Sequence, residues 1–380
     1  MSGRWGRLYN GETTIDFSGR RWWGFGLSII LLVVTVGSLV FQGLNLGIDF
    51  KGGVAWEAPA AGDLTVDSAR EVLDANKIET ANAKIQVLGS GEAERIRIQV
   101  GEQTPEVRDA VQSDLAGKSG VETVDVSVSD VSSSWGRSIT EKAIRALLVF
   151  FLLVSLYIAW RFEWKMAVAA IVAMAHDVAV SVGVYSILGF EVTPATVIAF
   201  LTILGFSLYD TIVVFDKVKD NDHRYAGQRV SYADITNVSM NQVLMRSLNT
   251  SLAAVLPVLS LLVVGSGILG AVALQEFAIA LFVGLLTGAY SSIFIATPIL
   301  TIMKEREPKY RTLVGQLSTG ADMAQLATTG APVSRRAARG SARADDGDEA
   351  RNEPALVGSP AAQATAVLSH PPRPRKKRKR

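Results

Sequence analysis

The chain has 380 residues, of which 49% are hydrophobic and 19% are charged, and its mean hydropathy is +0.27. A soluble protein normally carries about a quarter charged residues, so this composition argues against a purely soluble chain. The absence of cysteine excludes disulfides, Cys-ligated zinc and thiol chemistry. The net charge of +2 is uneven, because residues 331–380 hold 12 Lys and Arg against 5 Asp and Glu.

The first apolar segment predicts a membrane helix over residues 22–44, after a short N-terminal segment of residues 1–21. Its uncharged stretch, from Gly24 to Phe41, is long enough to cross the hydrocarbon core of a bilayer. Arg20 and Arg21 precede the apolar run, as in a signal peptide. No small-residue cleavage site follows, so we expect the helix to be retained.

Residues 45–140 contain no further membrane-length run, and their pattern is that of a small α+β domain. Alternating apolar residues and turn signals separate the predicted strands, and helical spacing marks two helices between them. The strands are expected at Val54–Glu57, Ala83–Leu88, Arg95–Val100 and Val121–Val128, and the helices at Asp67–Ala75 and Pro105–Leu115. The order β-α-β-β-α-β is that of a ferredoxin-like unit. With 9 Lys and Arg against 16 Asp and Glu, the domain is acidic.

Five more apolar runs fill residues 141–304. They are Ile144–Trp160, Met166–Leu188, Val192–Phe215, Ser247–Val264 and Leu269–Met303. The last run exceeds one span, so its first turns, near Gln275 and Glu276, are expected at the outer surface. Gly284 and Gly288 form a GxxxG pair that suits close helix contact. The predicted fold is therefore an α-helical polytopic membrane protein with six transmembrane helices and a ferredoxin-like extracytoplasmic domain between helices 1 and 2.

The distribution of Lys and Arg predicts that both termini face the cytoplasm. Positive residues precede the first span, fill the turn between the second and third, lie between the fourth and fifth, and follow the sixth. The two alternate connections, residues 189–191 and 265–267, have none. We therefore expect a multi-pass protein of the plasma membrane, with residues 45–140 outside the cell.

The end of the chain is predicted to be a cytoplasmic, disordered basic tail over residues 305–380. Beyond about Thr312 the apolar periodicity is lost, and Ala, Arg, Pro, Gly and Asp dominate. Such a composition buries too little apolar surface to fold. For the terminal RPRKKRKR, a solvated flexible tail that helps to set topology is the favoured prediction, with binding to anionic lipid head groups or to the ribosome as the alternative.

Ionisable side chains inside the predicted spans are the main candidates for function. Each costs about 3 kcal/mol at a helix centre, so each implies a partner or a wet cavity. His176 and Asp177 lie on the third span, and Asp210 lies on the fourth, about 9 Å from Asp216 at the cytoplasmic end. Arg246 opens the fifth run. Asp210 and Arg246 lie at similar depth, which predicts an ion pair.

An ion pair between Asp210 and Arg246 suits proton conduction. Near the guanidinium the carboxylate stays ionised, whereas in apolar surroundings it takes up a proton. A movement that makes and breaks the pair would load and release a proton from opposite sides of the membrane. A static ion pair that joins two helices is the alternative. His176, Asp177 and Asp216 are candidates for a supporting role in the relay. The alternative is that each is only hydrogen-bonded between helices.

Enzyme activity is not expected from the motifs. The sequence has no complete P-loop, no HExxH pair and no Gly-x-Ser-x-Gly elbow. We therefore expect no catalytic residues, no metal and no cofactor, and the ion gradient across the membrane is the available source of energy.

Motifs along nearly the whole membrane part resemble the SecD/SecF family of protein translocase subunits. The run from Gly47 through Asp49, Phe50 and Gly52 to Gly53 resembles the G-x-D-F-x-G-G signature of this family. Further segments resemble its SecF pattern: Arg161–Trp164, His176-Asp177, Leu201–Asn221, Arg246–Leu252 and Gly288–Pro298.

The match departs from the family at two positions. Phe206 and Tyr209 stand where the family usually has Tyr and Asn. Tyr209 lacks the side-chain amide through which Asn would make a hydrogen bond beside Asp210.

The resemblance implies a member of the resistance-nodulation-division superfamily that pairs with SecD and works with the SecYEG channel, with YajC as a further partner. The family uses the proton gradient to complete export of unfolded preproteins after SecA has started translocation. Its proton pathway runs between helices four to six, which carries onto Asp210 and Arg246 in this chain.

Three other functions stay open. A proton-driven efflux component for small molecules or lipids belongs to the same superfamily, although such pumps usually have twelve spans in one chain. An intramembrane aspartyl protease would use Asp177 and Asp210, but that class typically shows Gly-x-Gly-Asp where this chain has Ser207-Leu208-Tyr209-Asp210. The third is a translocon scaffold without transport of its own.

Overall fold

The computed structural model describes residues 13–89, 94–268 and 272–330. The elements in chain order are α1 (Arg21–Phe41), β1 (Asn45–Leu46), α2 (Ile48–Lys51), β2 (Gly53–Pro59), α3 (Val66–Ala75), β3 (Lys84–Leu88), β4 (Arg95–Val100), α4 (Pro105–Ser119), β5 (Ser127–Val131), α5 (Ser133–Arg161), α6 (Trp164–Leu188), β6 (Glu191–Val192), α7 (Pro194–Arg224), α8 (Tyr232–Ser260), α9 (Val272–Ser291), α10 (Thr297–Glu305), α11 (Pro308–Arg311) and α12 (Gly320–Thr329).

Six helices in the described residues are long and apolar enough to cross a membrane, as the sequence predicts. They are α1, α5, α6, α7, α8 and α9, the last of which passes through a π-helical turn at Ser292–Ala296 into α10. Within their most apolar stretches, α6 and α9 are the most buried of the six helices, whereas α1, α5 and α8 bury little. The bundle is therefore built around α6, α7 and α9. The predicted start of the sixth run, Leu269, lies outside the described residues.

Several membrane helices are longer than their apolar runs. Helix α5 begins at Ser133, well before Ile144, and the Ser132 hydroxyl accepts a hydrogen bond from the Trp135 amide at its start. Helix α7 continues past Phe215 to Arg224, and α8 begins at Tyr232 rather than Ser247. Hydropathy marks only the lipid-facing part of a helix, so the polar turns beyond it escape the prediction.

Residues 53–131 form one antiparallel sheet covered by two helices. The strands lie in the order β3-β4-β2-β5, and the elements occur in the predicted order β-α-β-β-α-β. Trp56, Ile98, Leu73 and Leu115 are buried in the core between the sheet and α3 and α4. The predicted strand Val121–Val128 is wrong at both ends, because a 3₁₀ turn occupies residues 123–125 and the strand is Ser127–Val131.

A short parallel ladder joins the end of α1 to the connection between α6 and α7. In it β1 pairs with β6, with Asn45 opposite Glu191 and Leu46 opposite Val192. The Gly47 amide adds a hydrogen bond of 3.0 Å to the Val192 carbonyl. The sheet is thereby attached to the helix bundle at the start of its first strand.

At the other end of the bundle, residues 13–20 and α12 pack against the first half of α8. The Asn237 side chain accepts hydrogen bonds from the Phe17 and Ser18 amides, at 3.0 and 2.8 Å. Met323 and Leu326, three residues apart on α12, are buried in the core of the bundle. The predicted disordered tail is therefore wrong over residues 320–329, because this apolar pair gives the helix a buried face. Residues 331–380 of the predicted tail lie outside the described residues.

Candidate functional site

A fully buried carboxylate, Asp177 on α6, lies at the centre of the bundle. Its Oδ2 accepts hydrogen bonds from the Ser207 hydroxyl on α7, at 2.5 Å, and from the Ser291 hydroxyl on α9, at 2.7 Å. Its Oδ1 lies 3.2 Å from His176 Nδ1. One side chain therefore joins three helices, and the partners of both oxygens are supplied within the bundle.

Close packing of α9 on α7 brings these hydroxyls together. A Cβ added to Gly284 would lie 2.2 Å from Ile203 Cδ1, and one added to Gly288 would lie 2.9 Å from Ser207 Cβ. The close contact predicted for this GxxxG pair is confirmed. Larger residues at these two positions would move Ser291 away from Asp177.

His176, beside Asp177 in sequence, is also buried. Its ring lies 6.3 Å from that of Tyr290, whose hydroxyl donates a hydrogen bond of 2.7 Å to the Gly24 carbonyl on α1. The Nε2 atom of His176 is buried and has no hydrogen-bond partner among the described residues. His176 and Asp177 thus belong to one polar core, and the ring of His176 lies on its α1 side.

Asp210 on α7 is the second buried carboxylate of the core. The Ser247 hydroxyl on α8 donates a hydrogen bond of 2.8 Å to Asp210 Oδ2. The Ser292 hydroxyl on the π-helical turn also interacts with this carboxyl, and it shares a hydrogen bond of 2.9 Å with the Thr211 hydroxyl. Asp177 and Asp210 are therefore each in contact with serine hydroxyls from neighbouring helices.

The predicted ion pair between Asp210 and Arg246 is absent from the described part of the chain, and this prediction is corrected. Arg246 Nη2 instead lies 3.4 Å from the Tyr209 hydroxyl, on the exposed side of α7 and α8. Successive helical residues point about 100° apart, so α8 presents Ser247 rather than Arg246 to the carboxylate. Tyr209, one of the two departures from the family pattern, holds the guanidinium in this position.

Asp216 lies apart from the polar core. It is exposed near the end of the bundle at which α5 turns into α6, and its Oδ1 is 3.4 Å from Arg161 Nη2. The other four predicted intramembrane residues lie in or beside the core. Within the described residues, no group of three or more His, Asp or Glu side chains converges to hold a metal ion.

The predicted glycine signature forms the junction of the sheet and the bundle. Gly53 has a φ of +126°, and a Cβ there would lie 2.2 Å from the Val100 carbonyl oxygen of the neighbouring strand. Gly52 has a φ of +78°, and its Cβ would lie 2.6 Å from Ser133 Cα at the start of α5. A Cβ on Gly47 would lie 2.4 Å from Glu191 Oε1. At Gly52 and Gly53 the missing side chain leaves room for a neighbouring backbone, and at Gly47 it leaves room for the Glu191 carboxylate.

Glu191 is a buried residue of this junction that the sequence analysis missed. Its Oε2 accepts hydrogen bonds from Gln99 Nε2, at 2.7 Å, and from Arg97 Nη1, at 3.2 Å, both on β4. Burial, together with the nearby charge of Glu191, raises the pKa of Asp49 above its ordinary value. The available signal was a lone carboxylate in the three-residue connection between two apolar runs, residues 189–191.

Two family models match the chain. The model described as Protein export membrane protein SecD/SecF, C-terminal, matches residues 111–306, and the SecD/SecF GG Motif matches residues 37–54. The protein translocase subunit SecF of Streptomyces coelicolor is 41% identical over 353 residues, covering 93% of this chain and 92% of the relative. The chain belongs to the SecF family of protein translocase subunits. The SecF of Mycobacterium tuberculosis is 43% identical, covering 79% of this chain and 69% of the relative.

SecF-family membership extends to the fold. The crystal structure of SecDF from Thermus thermophilus, described as a translocon-associated membrane protein, matches with a TM-score of 0.71 and 32% identity. The match covers 78% of this chain but 39% of that one, so the present chain spans about two fifths of the SecDF length. The GG-motif match ends within β2, next to Gly53, and the C-terminal match contains Asp177, Asp210 and Arg246.

Proposed function

We propose that this protein works with SecD to convert the proton-motive force into export of unfolded preproteins through SecYEG, after SecA-driven translocation. Asp210 and Arg246 form the proton relay, with His176 and Asp177 in support. YajC is a further proposed partner. Each proton that crosses brings about 2.3 kcal/mol per 100 mV of membrane potential. The protein acts as a transport subunit rather than as an enzyme.

The observation that carries the proposal is the position of Asp210 between two alternative partners on α8. In this structure the buried carboxyl is held by the Ser247 hydroxyl, while the adjacent Arg246 points towards Tyr209. In the proposed relay, an approach of Arg246 would favour the charged form of this carboxyl. In this proposal, the arrangement with Ser247 is the unpaired state of the relay.

Orientation follows from the charge asymmetry of the connections. Both termini face the cytoplasm in this proposal, and the sheet of residues 53–131 lies outside the cell. Its strand order, with the first strand between the third and fourth, supports a ferredoxin-like unit. The junction at Glu191 would transmit movements of α6 and α7 to this outer domain.

The test compares two aspartates on the same helix. Asp210→Asn removes the buried carboxylate, and Asp216→Asn removes an exposed one as a matched control. Preprotein export by reconstituted vesicles is measured with and without an uncoupler. We expect D210N to abolish the part of export that is sensitive to the uncoupler, and D216N to keep it.

Unchanged, uncoupler-sensitive export in D210N would refute the relay. Normal assembly with SecD together with unchanged export would leave the scaffold function. If proton-driven loss of a small molecule from the vesicles depends on Asp210 while export does not, the efflux alternative is correct.

A further inference from the structure

A groove of about 620 Å³ opens between α5, α7 and α8, at the end of the bundle where α5 turns into α6. It follows α7 from Tyr209 to His223, about 21 Å of helix. Its walls are apolar where Ile212, Val213 and Val243 line them. The groove is therefore long enough for a polar head group at one end and an apolar chain beside it.

Positive charge dominates the groove. Arg161, Lys217, Lys219 and Arg246 face two carboxylates, so the lining carries two more cations than anions with His223 neutral. Arg161 is 3.4 Å from Asp216, and Lys217 is 2.9 Å from Asp220. Among the described residues, neither Lys219 nor Arg246 forms an ion pair. Two cations in the groove therefore lack a counter-charge from the protein.

An aromatic ring draws two of the cations together. Phe162, which is buried, has the Arg161 guanidinium 5.4 Å and the Lys219 ammonium 6.0 Å from its ring centroid. Such cation–π contacts stabilise cations without neutralising them. The two groups are thus held near each other with their charge still available to an anion.

The groove adjoins an exposed apolar surface on α5. Leu153, Leu156 and Trp160 on α5 are exposed, with Trp160 at 84%, and α5 is the least buried of the six membrane helices. Exposed tryptophans mark the level of the lipid head groups. Basic pockets between transmembrane helices are known to bind anionic head groups. A soluble anion would gain nothing from the apolar face that adjoins this groove.

We propose that the groove binds an anionic phospholipid, with its head-group phosphate near Lys219 and Arg161, which share the Phe162 ring, and its acyl chains along α5. The site goes beyond the transport function and does not depend on it, because lipid binding is measured without a gradient.

The test uses the purified full chain in detergent, so the basic tail is the same in every variant. Native mass spectrometry measures the apparent affinity for phosphatidylglycerol and for phosphatidylcholine. Lys219→Glu reverses a groove charge, and Arg311→Glu reverses an exposed cation outside the groove as the matched control. Lys219→Arg keeps the charge and tests whether a cation alone is sufficient.

We expect K219E to weaken phosphatidylglycerol binding at least about tenfold, since each positive charge near an anionic lipid contributes about a factor of five. R311E and K219R should stay within about threefold of wild type. Equal loss in K219E and R311E would overturn the site, and so would equal affinity of the wild type for the two lipids. Competition by millimolar inorganic phosphate would overturn the assignment to a lipid.

Discussion

Removal of the Glu191 carboxylate tests whether this residue holds the sheet domain on the helix bundle. Glu191→Ala deletes the acceptor of two hydrogen bonds, from Gln99 at 2.7 Å and from Arg97 at 3.2 Å. The Gln99 amide is then buried without a partner, whereas Arg97 keeps its ion pair with Glu57. Breaking a largely buried ion pair costs about 3 to 5 kcal/mol of stability. Because Arg97 keeps its pair with Glu57, we expect a cost at the low end, about 3 kcal/mol.

The assay is hydrogen exchange of the backbone amides next to the junction. The Gly47 amide donates to the Val192 carbonyl at 3.0 Å and is exposed when the sheet domain separates from the bundle. A loss of about 3 kcal/mol predicts about 100-fold faster exchange in Glu191→Ala. The control, Glu71→Ala, removes an exposed pair with Lys118 and should change exchange less than about fivefold.

An isosteric change separates charge from hydrogen bonding. Glu191→Gln keeps an oxygen that can accept from Gln99 but loses the charge that faces Arg97. We expect exchange of the Gly47 amide to lie between wild type and Glu191→Ala. The reasoning is refuted if Glu191→Ala and Glu71→Ala accelerate this amide equally.

Two further predictions concern the junction. Gly53→Ala places a Cβ against the neighbouring strand at a φ of +126°. We expect it to lower the free energy of unfolding in mixed micelles by at least about 2 kcal/mol. The control, Gly101→Ala, has open space around the added Cβ and should lower it by less than about 0.5 kcal/mol. The Ser133 hydroxyl and backbone N–H lower the pKa of Glu102 from its ordinary 4.5, so this carboxylate contributes stability above that value. Glu102→Gln should therefore lower the melting temperature at pH 7, and its difference from wild type should vanish as the pH falls through the lowered pKa; a difference that persists in acid would contradict this.

The number of membrane spans could be predicted because bilayer thickness imposes a minimum apolar length on each. The ends of the helices could not, since tertiary packing decides where the polar turns stop. The first turns of α8 are polar in sequence, yet Asn237 and Asn241 are buried there because they bind the backbone of residues 15–18. Helix α12 is a second case. Its buried residues Met323 and Leu326 pack in the core of the bundle, and the composition of the segment does not indicate this contact.

The depth of the candidate site residues in the membrane could be predicted, but the side of each helix on which they lie could not. Counting residues from the helix ends places Asp210 and Arg246 at one level of the bilayer. It does not say which side of α8 faces α7, and one residue changes that side by about 100°. Ser247 thus takes the place next to the carboxylate. Glu191 was missed for a related reason, since its partners on β4 are about 90 positions away in sequence.

The two buried carboxylates suggest where the bundle moves. Asp177 binds hydroxyls on both α7 and α9, so it unites α6, α7 and α9. Within the described part of the chain, the bond between Asp210 and α8 is the one from the Ser247 hydroxyl. An exchange of Ser247 for Arg246 as the partner of Asp210 therefore requires α8 to turn against the other three helices, and we expect the moving boundary to be that between α7 and α8.

The absence of cysteine allows this movement to be measured with spin labels at introduced cysteines. Phe206 on α7, Leu248 on α8 and Leu286 on α9 are all exposed, and labels there report the α7–α8 and α7–α9 distances. Asp210→Asn keeps the site neutral and should hold the α7–α8 distance constant as the pH changes, while that distance changes in the protein with Asp210 intact. The α7–α9 distance should stay fixed in both, because Asp177 joins these helices. Movement of α9 as large as that of α8 would show that the Asp177 hydrogen bonds do not unite the central helices.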